Sequence, residues 1–282
     1  MKALIAIGIL NLLIGLTSLV AFGSDFPMLD VKQVLSQQSQ PRLEQIAKAT
    51  AALLRTDDDH FLNPKKFGDI YKFCSEEKFL EQNLFSYCSG TLIAKNKILT
   101  AGHCVRSLKD CSDIRIAFDY FENADIPKIQ SGKILKCKKI SAWSKPVSQV
   151  QLIDYAVIEL EQDVLDRQPI VMSNSLQNSQ QQDRIYSVGH PLGLPMKLVQ
   201  GYFNSADKKA DLLTPRSAYR PAHMNSHPGL SGSGVYNENL ELSGILVRGE
   251  ANIERDGMCS RIRTCDTQDC PWVHIQKLPK LK

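Results

Sequence analysis

The chain lacks the features that mark several large classes of protein. It has no glycine-rich phosphate loop, which argues against a P-loop nucleotide enzyme. It has no internal repeat and no sustained apolar heptad, which exclude a repeat array and a coiled coil. No C-x-x-C pair occurs, so the cysteines do not have the spacing of a zinc site, and no metal or cofactor is expected. Charge of one sign is also scarce: 34 Lys+Arg stand against 30 Asp+Glu, a formal net charge of +4. The one short basic cluster, Lys136, Lys138 and Lys139, reads as a solvated face, and no nucleic-acid partner is expected. After residue 20 no apolar run is long enough to span a bilayer.

What is present bounds the answer further. The 282 residues suffice for one large domain or two small ones, and 43% hydrophobic with 23% charged residues is a globular composition. Met1-Lys2 is followed by an apolar run from Ala3 to Val20, and then by Ala21-Phe22-Gly23. The small residues at 21 and 23 favour a secretory signal peptide, residues 1–23, over an uncleaved anchor. The mature protein is expected to be secreted or periplasmic, monomeric and free of stable membrane association. Eight cysteines, an even number in an exported chain, imply disulfides.

Residues 24–60 are polar and Gln-rich at first. Arg42 to Leu54 fits either a short amphipathic helix through Leu43, Ile46, Ala47 and Leu54 or a strand over Thr50 to Leu54. This region is read as a leader, pro-segment or N-terminal wrapping arm ahead of a domain over 61–282, with ordinary packing into that domain as an equal alternative. From Phe85 onward short apolar runs recur between turn residues: Gly90 to Ala94, Lys97 to Thr100, Ile114 to Phe118, Lys133 to Cys137, Tyr155 to Leu160, Ile185 to Val188, Gly232 to Tyr236 and Leu242 to Val247. Their lengths and composition say mostly β, as a sandwich or barrels, with short helices expected only near the termini.

Two stretches carry chemistry. In His227-Pro-Gly-Leu-Ser-Gly-Ser-Gly-Val235, glycines at 229, 232 and 234 bend the backbone tightly around Ser231 and leave amide N–H groups bare. A serine so placed suits nucleophilic attack on a carbonyl, given a base and fixed donors for the oxyanion. In Leu92-Ile-Ala-Lys-Asn-Lys-Ile-Leu-Thr-Ala-Gly-His-Cys-Val105, two short strands flank a turn, and the second runs into His103.

Cys88-Ser-Gly-Thr-Leu-Ile followed by Thr-Ala-Gly-His103-Cys104 resembles the histidine segment of the chymotrypsin-like serine peptidases. Gly229-Leu-Ser-Gly-Ser-Gly resembles their nucleophile segment. The resemblance covers roughly Phe85 to Gly249. Val188-Gly-His-Pro-Leu-Gly-Leu-Pro195 and Gly244-Ile-Leu-Val-Arg-Gly249 look closest to the bacterial branch that includes glutamyl endopeptidases. The family's third residue is an aspartate that opens a strand, and Asp154-Tyr-Ala-Val-Ile-Glu-Leu160 supplies it; Asp119, Asp125 and Asp163 precede no such strand. The order His103, Asp154, Ser231 matches the family order. The resemblance implies two six-stranded antiparallel barrels and a secreted serine endopeptidase acting on proteins or peptides. In it Ser231 is the nucleophile, His103 the general base and acid, and Asp154 the orienting acid, with an oxyanion hole from the N–H groups of Gly229 and Ser231. It also implies a Cys88–Cys104 disulfide. Cys111–Cys137 is plausible, which leaves Cys74, Cys259, Cys265 and Cys270 to pair among themselves.

The sequence departs from the family in places. Leu230 stands where the trypsin group has an aspartate that pairs with a new N-terminus, and no Ile-Val-Gly-Gly segment precedes Cys88, so that zymogen switch is not expected. Gly234 stands where proline is commoner. The substrate pocket is expected at Asn225 and Ser226, with Val247, Arg248 and Gly249 as its wall. Asn225 is uncharged and Leu246 replaces the wall histidine of glutamyl endopeptidases, so neither basic nor acidic specificity is implied. Leu230 also motivates a second reading, a weakly active or inactive secreted binding protein on the same fold. His60, His190, His223 and His274 are read as surface or packing residues, and His227 as lining the cleft.

Overall fold

The computed structural model describes residues 25–37, 39–57, 63, 65–121, 134–144, 153–173, 183–203, 219–266 and 269–280. The apolar run 3–20, the expected cleavage site and His60 lie outside them. Strands β1 (Asp25–Phe26) and β2 (Leu29–Asp30) lead into helices α1 (Val31–Gln37) and α2 (Pro41–Ala49), and α2 runs directly into β3 (Thr50–Arg55). Next come β4 (Lys65–Lys66), the short helix α3 (Phe67–Ile70) and β5 (Asn83–Leu84). The first half closes with β6 (Cys88–Ala94), β7 (Lys97–Thr100), β8 (Ile114–Ala117), β9 (Ile134–Ser144) and β10 (Tyr155–Leu160). The second holds β11 (Arg184–Gly189), β12 (Lys197–Phe203), β13 (Tyr219–Met224), β14 (Gly234–Tyr236) and β15 (Leu242–Gly249). The hairpin β16 (Ile253–Asp256) and β17 (Cys259–Ile262), then β18 (Cys265–Asp266) and β19 (Trp272–Lys277), complete the chain.

Six strands close the first barrel in the order β10-β7-β6-β3-β8-β9, and six close the second in the order β11-β14-β15-β19-β13-β12, with β12 returning to β11. All these pairings are antiparallel. Closure removes the free edges that an open sheet would expose. β9 pairs β8 through Ile134–Lys136 and β10 through Cys137–Ser144. Two register shifts along the β9–β10 pairing, as at a bulge, mark where the sheet curls into a barrel. The two-barrel architecture is the one implied by the resemblance.

The short apolar runs seen in sequence form the strands and supply the core. Ile98, Ile114, Ile116, Ala156 and Ile158 are fully buried in the first barrel. In the second, Ile185, Val199, Leu230, Val235, Leu246, Val273 and Ile275 form one cluster.

Residues 24–60 were expected as an arm or pro-segment. The described part packs into the body of the protein. Both local alternatives for Arg42 to Leu54 occur in succession: Leu43, Ile46 and Ala47 of α2 face the core, and β3 is a stave of the first barrel. The Thr50 hydroxyl donates to Ile46 O at 2.8 Å, which satisfies a carbonyl at the helix end. The boundary set after residue 60 therefore falls inside the barrelled part of the chain. β2 pairs with the first two residues of β12, with Asp30 opposite Lys197, and Phe26 is fully buried.

The disulfides are Cys74–Cys259, Cys88–Cys104, Cys111–Cys137 and Cys265–Cys270. Cys74–Cys259 fastens the segment before β6 to the β16–β17 hairpin.

Candidate active site

His103 lies in the single helical turn Gly102–Cys104 that follows β7. Gly102 has to be small, since a Cβ there would overlap the carbonyl oxygen of Ser144 and come within 3.0 Å of Asp154 Oδ1. Trp143 Nε1 donates to Gly102 O at 2.8 Å and fixes the same turn. Disulfide Cys88–Cys104 ties the residue after His103 back to the start of β6.

Asp154 sits one residue before β10 and is 4% exposed. Its Oδ1 accepts the His103 backbone N–H at 2.9 Å, and Oδ2 lies 2.8 Å from His103 Nδ1. One carboxylate thus holds both the backbone and the ring of the histidine, whose side chain stays 40% exposed. Because a carboxylate accepts, Nδ1 carries the proton in the neutral ring, and Nε2 keeps the free lone pair. The Asp154 N–H donates to Gln276 Oε1 on β19 at 2.9 Å, a contact between barrels that sequence reasoning did not find.

Ser231 comes from the loop before β14. Gly229 and Gly232 have φ of +90° and +83°, which other residues adopt at a cost in strain. A Cβ on Gly232 would also overlap Thr100 Oγ1 and Ser89 O, so the loop lies directly against the strand that carries the histidine. The Ser89 N–H donates to Ser231 O at 2.8 Å across this seam. No His103–Ser231 side-chain hydrogen bond occurs among those formed by the described residues.

The residues expected to line a substrate pocket divide into two sets. Arg248 and Gly249 are exposed at the end of β15, whereas Asn225, Ser226 and Val247 are buried. The Asn225 amide is committed inside the fold: Nδ2 donates to Phe26 O at 2.7 Å, and Oδ1 takes His227 Nε2 at 3.0 Å and Asn252 Nδ2 at 3.1 Å. His227 does not line an open cleft. It is 3% exposed, and burial pushes its pKa down to about 4.

His190 is fully buried beneath Tyr120, bonded through Nδ1 to Leu194 O, and burial lowers its pKa to about 3. His274 is buried and His223 stacks on Tyr202, as expected of packing residues. Among the described residues, the one cluster with metal-ligating side chains is Cys88, His103 and Cys104. Its sulfurs are joined in a disulfide, so it offers no thiolate.

A family model described as a trypsin-like peptidase domain matches residues 88–245, more than half of the chain. The chain belongs to this family. His103, Asp154 and Ser231 all fall within the matched stretch of the trypsin-like peptidase. Solved structures of similar fold include the secreted serine protease VesC from Vibrio cholerae, at 17% identity and a TM-score of 0.53, over 81% of this chain and 43% of that one. They include the Vibrio cholerae VesB protease, at 14% identity and a TM-score of 0.53, over 85% of this chain and 63% of that one. The M. tuberculosis Rv3671c protease in its active form matches at 10% identity and a TM-score of 0.50, over 84% and 79%. At these identities the likeness is one of fold, and the match spans less than two thirds of the length of VesC and VesB. No curated protein matches the sequence.

Proposed function

We propose that this trypsin-like peptidase is a secreted serine endopeptidase that works through an acyl-enzyme on Ser231. In this reading His103 Nε2 takes the Ser231 hydroxyl proton as Oγ attacks the peptide carbonyl, then delivers it to the leaving amine. Asp154 holds the tautomer and stabilises the imidazolium. The N–H groups of Gly229 and Ser231 receive the oxyanion. Water then repeats the sequence on the acyl-enzyme, with His103 again as base. The observation that carries the proposal is the double grip of Asp154 on His103, at 2.9 and 2.8 Å, beside the seam where the Ser231 loop lies against Ser89 and Thr100.

Residues 1–23 are assigned as the signal, and the four disulfides fit an oxidising compartment. We assign residues 25–49 as an arm that stays with the mature enzyme, because Phe26, Val31 and Ile46 are buried against it. Kinship with the branch that includes glutamyl endopeptidases rests on the Val188–Pro195 and Gly244–Gly249 segments alone, and buried Leu246 argues against acidic specificity. Leu230, which motivated the inactive alternative, is buried in the apolar cluster of the second barrel and does not occupy the cleft.

A peptide-library cleavage profile tests the proposal. The mature protein is expected to cleave peptides with a definite preference on the acyl side, and S231A to cleave none. Folded protein that cleaves no peptide, or cleavage that survives S231A, would overturn it.

A further inference from the structure

Ser89 follows the disulfide cysteine Cys88 on β6, in the barrel opposite the nucleophile, and is fully buried. Its N–H donates to Ser231 O at 2.8 Å. Its hydroxyl donates to Gly229 O at 2.8 Å and accepts the His190 N–H at 2.8 Å. Its carbonyl accepts the Thr100 hydroxyl at 2.7 Å. A hydroxyl has one proton, and since Gly229 O can only accept while the His190 N–H can only donate, that proton goes to Gly229 O.

These bonds orient peptide planes. In a trans peptide the carbonyl and the N–H point in opposite directions, so anchoring a carbonyl aims its N–H. The Leu192 N–H holds Pro228 O at 2.5 Å, which turns the Gly229 N–H away from that turn. Ser89 holds the carbonyl of Gly229 through its hydroxyl and that of Ser231 through its N–H, the planes on either side of the one that bears the Ser231 N–H, whose own carbonyl, Leu230 O, accepts the Ser233 N–H at 2.9 Å. Neither the Gly229 nor the Ser231 N–H finds a hydrogen-bond partner among the described residues. Both are donors left bare in a loop whose neighbouring planes are fixed. The residue between them, Leu230, has no polar atom in its side chain with which to brace that loop, and it packs with Leu192, Val235 and Leu246.

We propose that Ser89 is a positioning residue whose hydroxyl, presented by the first barrel, sets the oxyanion-binding loop of the second. The inference rests on reading Ser231 as the nucleophile. It assigns to Ser89 the bracing that Leu230 cannot give.

The test compares the mature wild type, S89A and S89T. Wild-type peptide hydrolysis that is abolished in S231A comes first; its absence overturns both readings. Given an active wild type, S89A is expected to lose about 10- to 100-fold in kcat, with KM changed less than about threefold. Affinity for a peptidyl boronate, which places an oxygen in the hole, falls in parallel, while affinity for the cleaved product peptide does not. S89T keeps a hydroxyl and recovers most of kcat. An S89A enzyme with wild-type kcat, a loss confined to KM, or unchanged boronate affinity overturns the role of Ser89 alone. If S89A does not fold, S89G is the second hydroxyl-free variant and is held to the same pattern. Failure of both to fold means that the hydroxyl serves stability, and also overturns the proposal.

Discussion

Replacing Asp30 by alanine tests whether the segment before the first barrel is part of the working protein. Asp30 is 4% exposed and Lys197 fully buried, and their charged groups meet at 2.9 Å. Gln82 Oε1 accepts a second hydrogen bond from Lys197 Nζ at 2.8 Å, and the Phe79 ring covers the ammonium at 4.4 Å. The other carboxylate oxygen of Asp30 accepts the N–H groups of Lys32 and Gln33 at 3.0 and 3.3 Å, which caps α1. D30A thus leaves a buried lysine without this counter-charge, at about 3–5 kcal/mol, and removes a cap worth about 1 kcal/mol. The sum, about 4–6 kcal/mol, corresponds to a fall in Tm of roughly 8–24 °C for a domain of this size. Circular dichroism during thermal and urea unfolding reads both. Removing the charge as well, in D30N/K197M, is expected to recover most of the loss. A chain starting at Val31 should be at least as unstable as D30A, because it also loses the buried Phe26 side chain, about 1.5–3 kcal/mol. D30A within 1 kcal/mol of wild type, by the same scale of precision, together with a stable chain from Val31, would refute the reasoning and restore residues 24–30 as a dispensable pro-segment.

D154N keeps the shape of the site but frees the His103 ring from its tautomer, and kcat should fall by about three to four decades with KM little changed; a loss below tenfold in steady-state peptide hydrolysis contradicts the assigned role. His190 and His227 are held neutral by burial down to about pH 3 and about pH 4, whereas in the unfolded chain they take up protons below about pH 6.5. The unfolded state therefore binds more protons in that window, and stability falls on acidification from about pH 6.5 toward 4, by up to about 2.7 kcal/mol per pH unit for the two together; a urea midpoint that stays level from pH 7 to 4.5 contradicts this. L230N buries an amide in the apolar cluster and should cost about 1–3 kcal/mol without raising kcat; a more active or more stable L230N would show that leucine is a defect at that position.

The first half of the fold was legible because its strands are short apolar runs bounded by turn residues. Ile98, Ile114, Ile116 and Ile158 stand at inward positions between turn residues such as Lys95-Asn96, and β6, β7, β8 and β10 lie where those runs were read. β12, β13 and β19 were not read: buried polar residues break the pattern of β12 at Lys197 and Gln200 and of β19 at His274 and Gln276, and Pro221 interrupts β13. Lys197 is met inside by Asp30, 167 positions away, and Gln82, 115 away, and a local window cannot see either. The arm was ambiguous for a real reason, as Arg42 to Leu54 contains both a helix and a strand.

The residues proposed to react were nominated by motifs, because the chemistry proposed for 103, 154 and 231 restricts which residue types can stand there. Their supports were not. Gln276 reaches Asp154 from 122 positions away. Phe26 reaches Asn225 across 199 positions through its backbone carbonyl, which no side chain announces. Ser89 stands in the histidine motif, yet its hydroxyl contacts run to the other barrel, at Gly229 and His190.

The central claim is that folding delivers His103 Nε2 to the Ser231 hydroxyl. Covalent labelling of the folded, mature protein with a fluorophosphonate, followed by peptide mass mapping, tests it most directly. One adduct is expected, on Ser231, formed rapidly in wild type and lost in H103A. No adduct on folded protein, or labelling of Ser231 at the same rate in H103A, would contradict it.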